Sequence, residues 1–167
     1  MPLALTVALL PLLAVAPPWV WPIDPPHSIV HPYIAPDTPY AAGHRGVDLA
    51  APARTVYAPD DGVVHFAGTV VDRPVLSIKQ AGGVLTSFEP VTTTLVAGDT
   101  VERGEVIGVV LPGHCASVCL HFGVRVDGGY VSPLRWLGGF ERAVLIPTRS
   151  QSARSPRREG GPSGSSP

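Results

Sequence analysis

Three residues of this chain, His44, Asp48 and His121, are the ones best able to do chemistry together. Two imidazoles and a carboxylate are the borderline and hard donors that suit a zinc ion with a fourth position left open. His44 and Asp48 stand four apart, and on an extended strand that spacing points both side chains the same way. Cys119 and His121 share that parity on a second apolar segment. Gly43 and Gly46 leave the first segment free to turn around a ligand. An ion so held polarises a carbonyl and lowers the pKa of bound water to about 7, which is the chemistry of amide hydrolysis. The pattern His-x-x-x-Asp recurs by chance, and lone histidines more often pack than ligate, so the surrounding sequence has to decide. His27, His31 and His65 read as packing or surface residues.

Two cysteines, Cys115 and Cys119, fit an exported protein with one small disulfide-closed loop. Cys119 has three readings. It pairs with Cys115 and pins the loop beside the site, which is the reading we adopt. It is a thiolate ligand that fills the open metal position and makes the site structural. Or it is an idle thiol.

These residues must be positioned by short elements. The chain has 167 residues, room for one domain. A hydrophobic fraction of 45% is enough for a core, while 20 prolines and 18 glycines interrupt it too often for long helices. Charged residues are 15% and the net charge is -1, so no global field favours nucleic acid, and none is expected as a partner. Short apolar runs predict strands at Val47–Ala50, Thr55–Tyr57, Gly62–Ala67, Val75–Lys79, Leu85–Phe88, Val106–Leu111 and Leu120–Val126. Turns fall at Asp60-Asp61-Gly62, Ala81-Gly82-Gly83, Ala97-Gly98-Asp99 and Asp127-Gly128-Gly129. Ser132–Leu137 reads as a short helical turn. The expected fold is all-β, an antiparallel β-sandwich or open barrel.

The ends differ from the middle. Residues 1–16 read as a signal peptide, with the apolar run Leu3–Ala16 ending in Ala14-Val15-Ala16, although no Lys or Arg precedes the run. The competing reading is an apolar tail or buried segment. Left uncleaved, this segment is the only part expected to meet a membrane. Residues 17–40 form a proline- and aromatic-rich arm, too proline-dense for helix or most strand ladders. The domain proper is placed at 41–140. Residues 148–167 are mostly Ser, Arg, Gly and Pro, with Ala153 a lone small apolar residue, a composition that predicts a disordered tail.

Gly43-His44-Arg45-Gly46-Val47-Asp48-Leu49-Ala50-Ala51-Pro52 resembles the GxHxGxDxAAP signature of lysostaphin-type, or LytM-type, zinc endopeptidases. These enzymes cut peptide cross-links in bacterial cell walls. The likeness continues in order through Val56–Val64, through Gly98–Gly108, and into Leu120-His121-Phe122, which is similar to the end of the family's HLHF motif. It covers about residues 40–135. The upstream arm, Phe88-Glu89-Pro90-Val91 and the His114-Cys115…Cys119 segment look like an actinobacterial branch. The resemblance implies a β-sheet core with a groove, one zinc ion held by His44, Asp48 and His121, peptidoglycan peptides as substrate, and a secreted, wall-facing location.

The pattern also departs from the family. Its active members carry two further histidines that stabilise developing charge and handle protons. Cys119 replaces the one that opens the HxH pair, and Pro90 replaces the one in the Tyr-x-His-Leu motif. Gln80 stands where a further histidine is common. Loss of one such donor typically costs ~10²–10³ in rate. Two substitutes are available. Glu89 could serve as general base, although strand alternation faces it away from 88 and 90. His114 could enter from the loop before the cysteines.

The expected function is a zinc endopeptidase assisted by His114 or Glu89. The alternative is a catalytically weak zinc-binding module that holds wall peptides or activates another hydrolase. A biotin- or lipoyl-type carrier is a third class, since Gly98–Gly108 resembles half of such a domain. It needs a lysine at a hairpin tip, and the only lysine, Lys79, falls inside a predicted strand. Nothing in the sequence sets an oligomeric state.

Overall fold

The protein is described here from a computed structural model that covers residues 19–38 and 40–138. The expected signal peptide at 1–16 and the expected tail at 148–167 lie outside the described residues. Among the described residues no helix is long and apolar enough to cross a membrane.

The chain folds into short antiparallel strands: β1 (Ile29–His31), β2 (Gly46–Ala50), β3 (Thr55–Tyr57), β4 (Gly62–Val70), β5 (Arg73–Gln80) and β6 (Val84–Glu89). They are followed by β7 (Val91–Thr92), β8 (Thr100–Val101), β9 (Val106–Val110), β10 (Cys119–Val126) and β11 (Gly129–Val131). The larger sheet has the order β1-β2-β10-β6-β5-β4-β8, with β11 pairing the far half of β10. A smaller sheet has the order β3-β9-β7. Each predicted strand is present, and the all-β antiparallel expectation holds. The strands not foreseen, β1, β7, β8 and β11, are two or three residues long, too short to show a period of two.

Turn chemistry sets the registers. Asp127 and Gly128 both take positive φ, 50° and 83°, which is the two-residue hairpin turn that matches strand twist. It brings Val126 opposite Gly129 and closes the β10–β11 hairpin.

The two sheets share one core. Val47, Leu49, Leu76, Ile78, Phe88, Leu120 and Phe122 from the larger sheet cluster with Val56, Val91, Ile107 and Val110 from the smaller. Phe88 and Phe122 stand opposite each other in register, with ring centroids 5.2 Å apart. Full burial of side chains this size contributes about 1.5–3 kcal/mol each. The other face of the same central strands is thereby left for polar residues.

The proline-rich segment takes part in this core. Trp19 and Ile23 are buried in it, and Trp19 stacks on Trp136 at 5.2 Å while donating to Asp60. Despite its prolines the segment also joins the ladder, because β1 pairs with β2 and Ile34 bridges His44. Pro133–Arg135 makes the short helical turn expected near 132–137, as a 3-10 turn. Lys79 pairs with Val63 and Leu85 within β5, beside the Ala81–Gly83 turn and not at its tip.

Candidate active site

One row of side chains crosses four strands. His31 on β1 stands opposite Asp48 on β2, Asp48 opposite His121 on β10, and His121 opposite Glu89 on β6. Residues directly opposite in a sheet share a face. The apolar partners Leu49 with Leu120, and Val47 with Phe122, occupy the other face and anchor this row to the core.

His44 reaches the row by a bend. Four residues of straight strand span about 13 Å, yet His44 Nε2 lies 3.1 Å from Asp48 Oδ1. The chain leaves the ladder between the Ile34–His44 bridge and Gly46, so His44 folds back over Asp48. Glycine serves close approach here more than turning freedom. A Cβ on Gly46 would lie 2.7 Å from His121 Nε2 and against the Phe122 carbonyl oxygen.

Three donor atoms converge: His44 Nε2 to Asp48 Oδ1 at 3.1 Å, Asp48 Oδ1 to His121 Nδ1 at 2.8 Å, and His44 Nε2 to His121 Nδ1 at 3.0 Å. Donors around a tetrahedral zinc at 2.0–2.1 Å stand about 3.3 Å apart. The triangle is close to that size, and the donor set of two imidazoles and a carboxylate fits zinc. His44 Nδ1 donates to the Pro32 carbonyl at 2.7 Å, the outer hydrogen bond typical of a ligating histidine.

His114 joins from the loop before β10. Its Nε2 lies 3.1 Å from Asp48 Oδ1, and its ring meets that of His121 edge-on at 5.4 Å. The adjacent Cys115 is disulfide-bonded to Cys119, with a Cα separation of 5.9 Å. That bond removes Cys119 as a thiolate ligand and as an idle thiol, and it ties the His114 loop to the strand that bears His121. His114, Pro90, Asp72, Arg73, Pro74 and Leu111 line a groove of about 210 Å³ beside the cluster.

Glu89 lies on the cluster's side of the sheet, because Phe88 turns into the core. Alternation sets it opposite Phe88, as expected, and the face it takes is the cluster's. Among the described residues, Glu89 makes no hydrogen bond to the three donors, and it lies near Arg73, whose pKa it helps to raise after Asp72. Gln80 is buried within the sheet and donates to Thr86, remote from the cluster. The sequence points to a packing or surface role for His31. It stacks on His44 at 4.2 Å, with Nδ1 3.6 Å from Asp48 Oδ2. Only the β1–β2 register places it there, and three residues among prolines carry no sequence signal for that register.

Asp48 sits at the centre of four imidazoles. Burial pushes its pKa up, but the hydrogen bond from His121 and the charges of His44, His121 and His114 outweigh that and lower it to about 2. The carboxylate is held ionised, as a metal ligand must be.

The all-β core carries Asp48 and His121 on one face of adjacent strands and folds His44 back over them, a donor set of the metallopeptidase type. The chain belongs to peptidase family M23, whose model matches residues 42–133. An uncharacterised Mycobacterium tuberculosis protein is 41% identical over 122 residues, covering 68% of this chain and 49% of that protein. The murein hydrolase activator NlpD of Salmonella typhimurium is 28% identical over 123 residues, covering 71% of this chain and 31% of NlpD. The chain spans about half the length, 49%, of the mycobacterial relative. Among solved structures, a zinc-containing peptidase from Vibrio cholerae matches with TM-score 0.54 and 25% identity, over 68% of this chain and 38% of that one. The catalytic domain of lysostaphin from Staphylococcus simulans matches with TM-score 0.58 and 19% identity, over 68% and 93%. At that identity, the lysostaphin likeness shows the fold.

Proposed function

We propose that this chain is an exported zinc endopeptidase that hydrolyses peptide bonds in bacterial cell-wall peptidoglycan. The observation that carries the reading is the convergence of His44 Nε2, Asp48 Oδ1 and His121 Nδ1 beside an open groove, with His114 at its edge. Zinc held by these three residues would supply Lewis acidity toward a peptide carbonyl and toward water.

The chain's own residues do the rest. The groove between Pro90 and His114 orients an extended peptide across the row of ligands. The two family histidines are absent at positions 90 and 119. His114 supplies a polar hydrogen at the same edge of the site, so it takes the role of charge stabiliser and proton carrier. Glu89, on the same face, is the second candidate for proton transfer. The disulfide supports an oxidising compartment, and with the apolar residues 3–16 it supports export.

The competing reading is a non-hydrolytic module that binds wall peptides or activates another hydrolase. The likeness to NlpD and the loss of two histidines favour it. Muropeptide analysis separates the two. Purified cross-linked peptidoglycan is treated with the zinc-loaded full chain and its fragments are weighed by mass spectrometry. Conversion of cross-linked dimers to monomers supports the peptidase. Retention on the wall with an unchanged fragment pattern supports the module.

A further inference from the structure

We infer that Arg73 fixes the tautomer of His114, so that Nε2–H is a hydrogen-bond donor aimed into the site and His114 is excluded as a fourth metal ligand. Its catalytic consequence rests on the peptidase reading; the tautomer itself does not.

A neutral imidazole carries one proton, and the group facing one nitrogen decides which. At His44 the facing group is the Pro32 carbonyl oxygen, 2.7 Å from Nδ1. A carbonyl only accepts, so Nδ1 holds the proton and Nε2 turns a lone pair toward Asp48 and His121. That is the ligating state.

At His114 the chemistry is inverted. Nδ1 faces Nη1 of Arg73 at 3.3 Å, the long end of a hydrogen bond. A guanidinium has five donors and no acceptor. Nδ1 must therefore accept, and the proton resides on Nε2, 3.1 Å from Asp48 Oδ1. A protonated nitrogen offers no lone pair to a metal. Two histidines that approach the same carboxylate oxygen through the same ring atom are thus assigned opposite roles by a carbonyl and a guanidinium.

The β4–β5 hairpin delivers Arg73 to the edge of the site. Arg73 opens β5 opposite Val70. Asp72 Oδ1 accepts from Arg73 Nε at 3.1 Å. Val71 at the tip has φ 58°, a left-handed conformation that β-branched residues rarely adopt. The result is a site with three protein ligands, an open fourth position and one donor beside it, where negative charge develops during amide hydrolysis.

The test is nitrogen-15 NMR of histidine-labelled full chain with its disulfide intact, above neutral pH. Spectra are taken metal-free and loaded with cadmium-113, an NMR-active stand-in for zinc. The expected result is His114 protonated on Nε2 in both forms, with cadmium coupling to His44 and His121 alone. Protonation of His114 on Nδ1, or cadmium coupling to His114, overturns the inference. Arg73→Glu sets an acceptor against Nδ1. It should flip the tautomer, recruit His114 to the metal and tighten zinc binding by ~10–100-fold, the range of outer-shell effects. Arg73→Lys, which can only donate, should keep Nε2–H. An unchanged tautomer in Arg73→Glu also overturns the inference. Failure to bind cadmium would sink the peptidase reading, while the metal-free spectrum would still decide the tautomer.

Discussion

His121 Nδ1 and Asp48 Oδ1 meet at 2.8 Å across adjacent strands, directly opposite in register, with their neighbours Leu120 and Leu49 buried on the reverse face. The core therefore sets the spacing of two candidate ligands before any ion arrives. Asp48→Ala should lower zinc affinity by more than the ~10–100-fold typical of outer-shell changes. Chelator competition on the folded variant measures it. An affinity within a few-fold of the parent would remove Asp48 from the ligand set.

Gly46 is where the fold and the site collide most easily. A methyl group there would press on the Phe122 carbonyl and the His121 ring. Gly46→Ala should cost about 1–3 kcal/mol, as overpacking does, and should also displace the His121 imidazole. Urea unfolding gives the first quantity and zinc titration the second. Loss of stability with unchanged zinc binding would show that the ring can yield without moving its Nδ1.

The disulfide separates stability from function. Its sequence separation is only four residues, so loop-closure entropy gives it roughly 2 kcal/mol. Its larger effect is to hold the His114 loop against β10. Replacing both cysteines by serine should destabilise the chain by about that 2 kcal/mol, while hydrolysis falls by ~10²-fold or more, the cost of one lost charge-stabilising donor. Equal activity in the serine variant would mean that His114 is held by Arg73 and Asp48 alone.

Acid stability of the metal-free chain should report on Asp48. Its pKa falls from an ordinary 3.8 to about 2 on folding. A lowered folded-state pKa stabilises above the unfolded value and the benefit disappears as pH falls through the folded one. The stabilisation is thus complete above about pH 4 and is lost toward pH 2. Asp48→Asn lacks it at every pH. Urea midpoints of the two proteins should differ most above about pH 4 and converge toward pH 2. Parallel curves would contradict the assignment.

What the sequence made legible follows from range. Apolar runs and Gly-rich turns announced seven of the strands because both signals are local. The parity of His44 and Asp48 suggested one face, but their 3.1 Å contact needs a bend at Arg45 that no propensity encodes. That Glu89 faces opposite to Phe88 was legible from alternation, but only the Phe88–Phe122 pair shows that Phe88 takes the core face and leaves Glu89 the cluster's. His31 and Arg73 reach the cluster through strand register and a hairpin tip. Such placement depends on which strands pair, a non-local fact that composition does not carry.

The most direct measurement is the rate of amino-group release from cross-linked peptidoglycan as the metal-free chain is titrated with zinc, beside His114→Ala. The account predicts a rate that climbs to one zinc per chain and then levels. His114→Ala should bind zinc with the same stoichiometry and run ~10²–10³-fold slower, as loss of one stabilising donor does. Saturation at one zinc with no amino groups released would contradict it and leave a wall-binding or activating module.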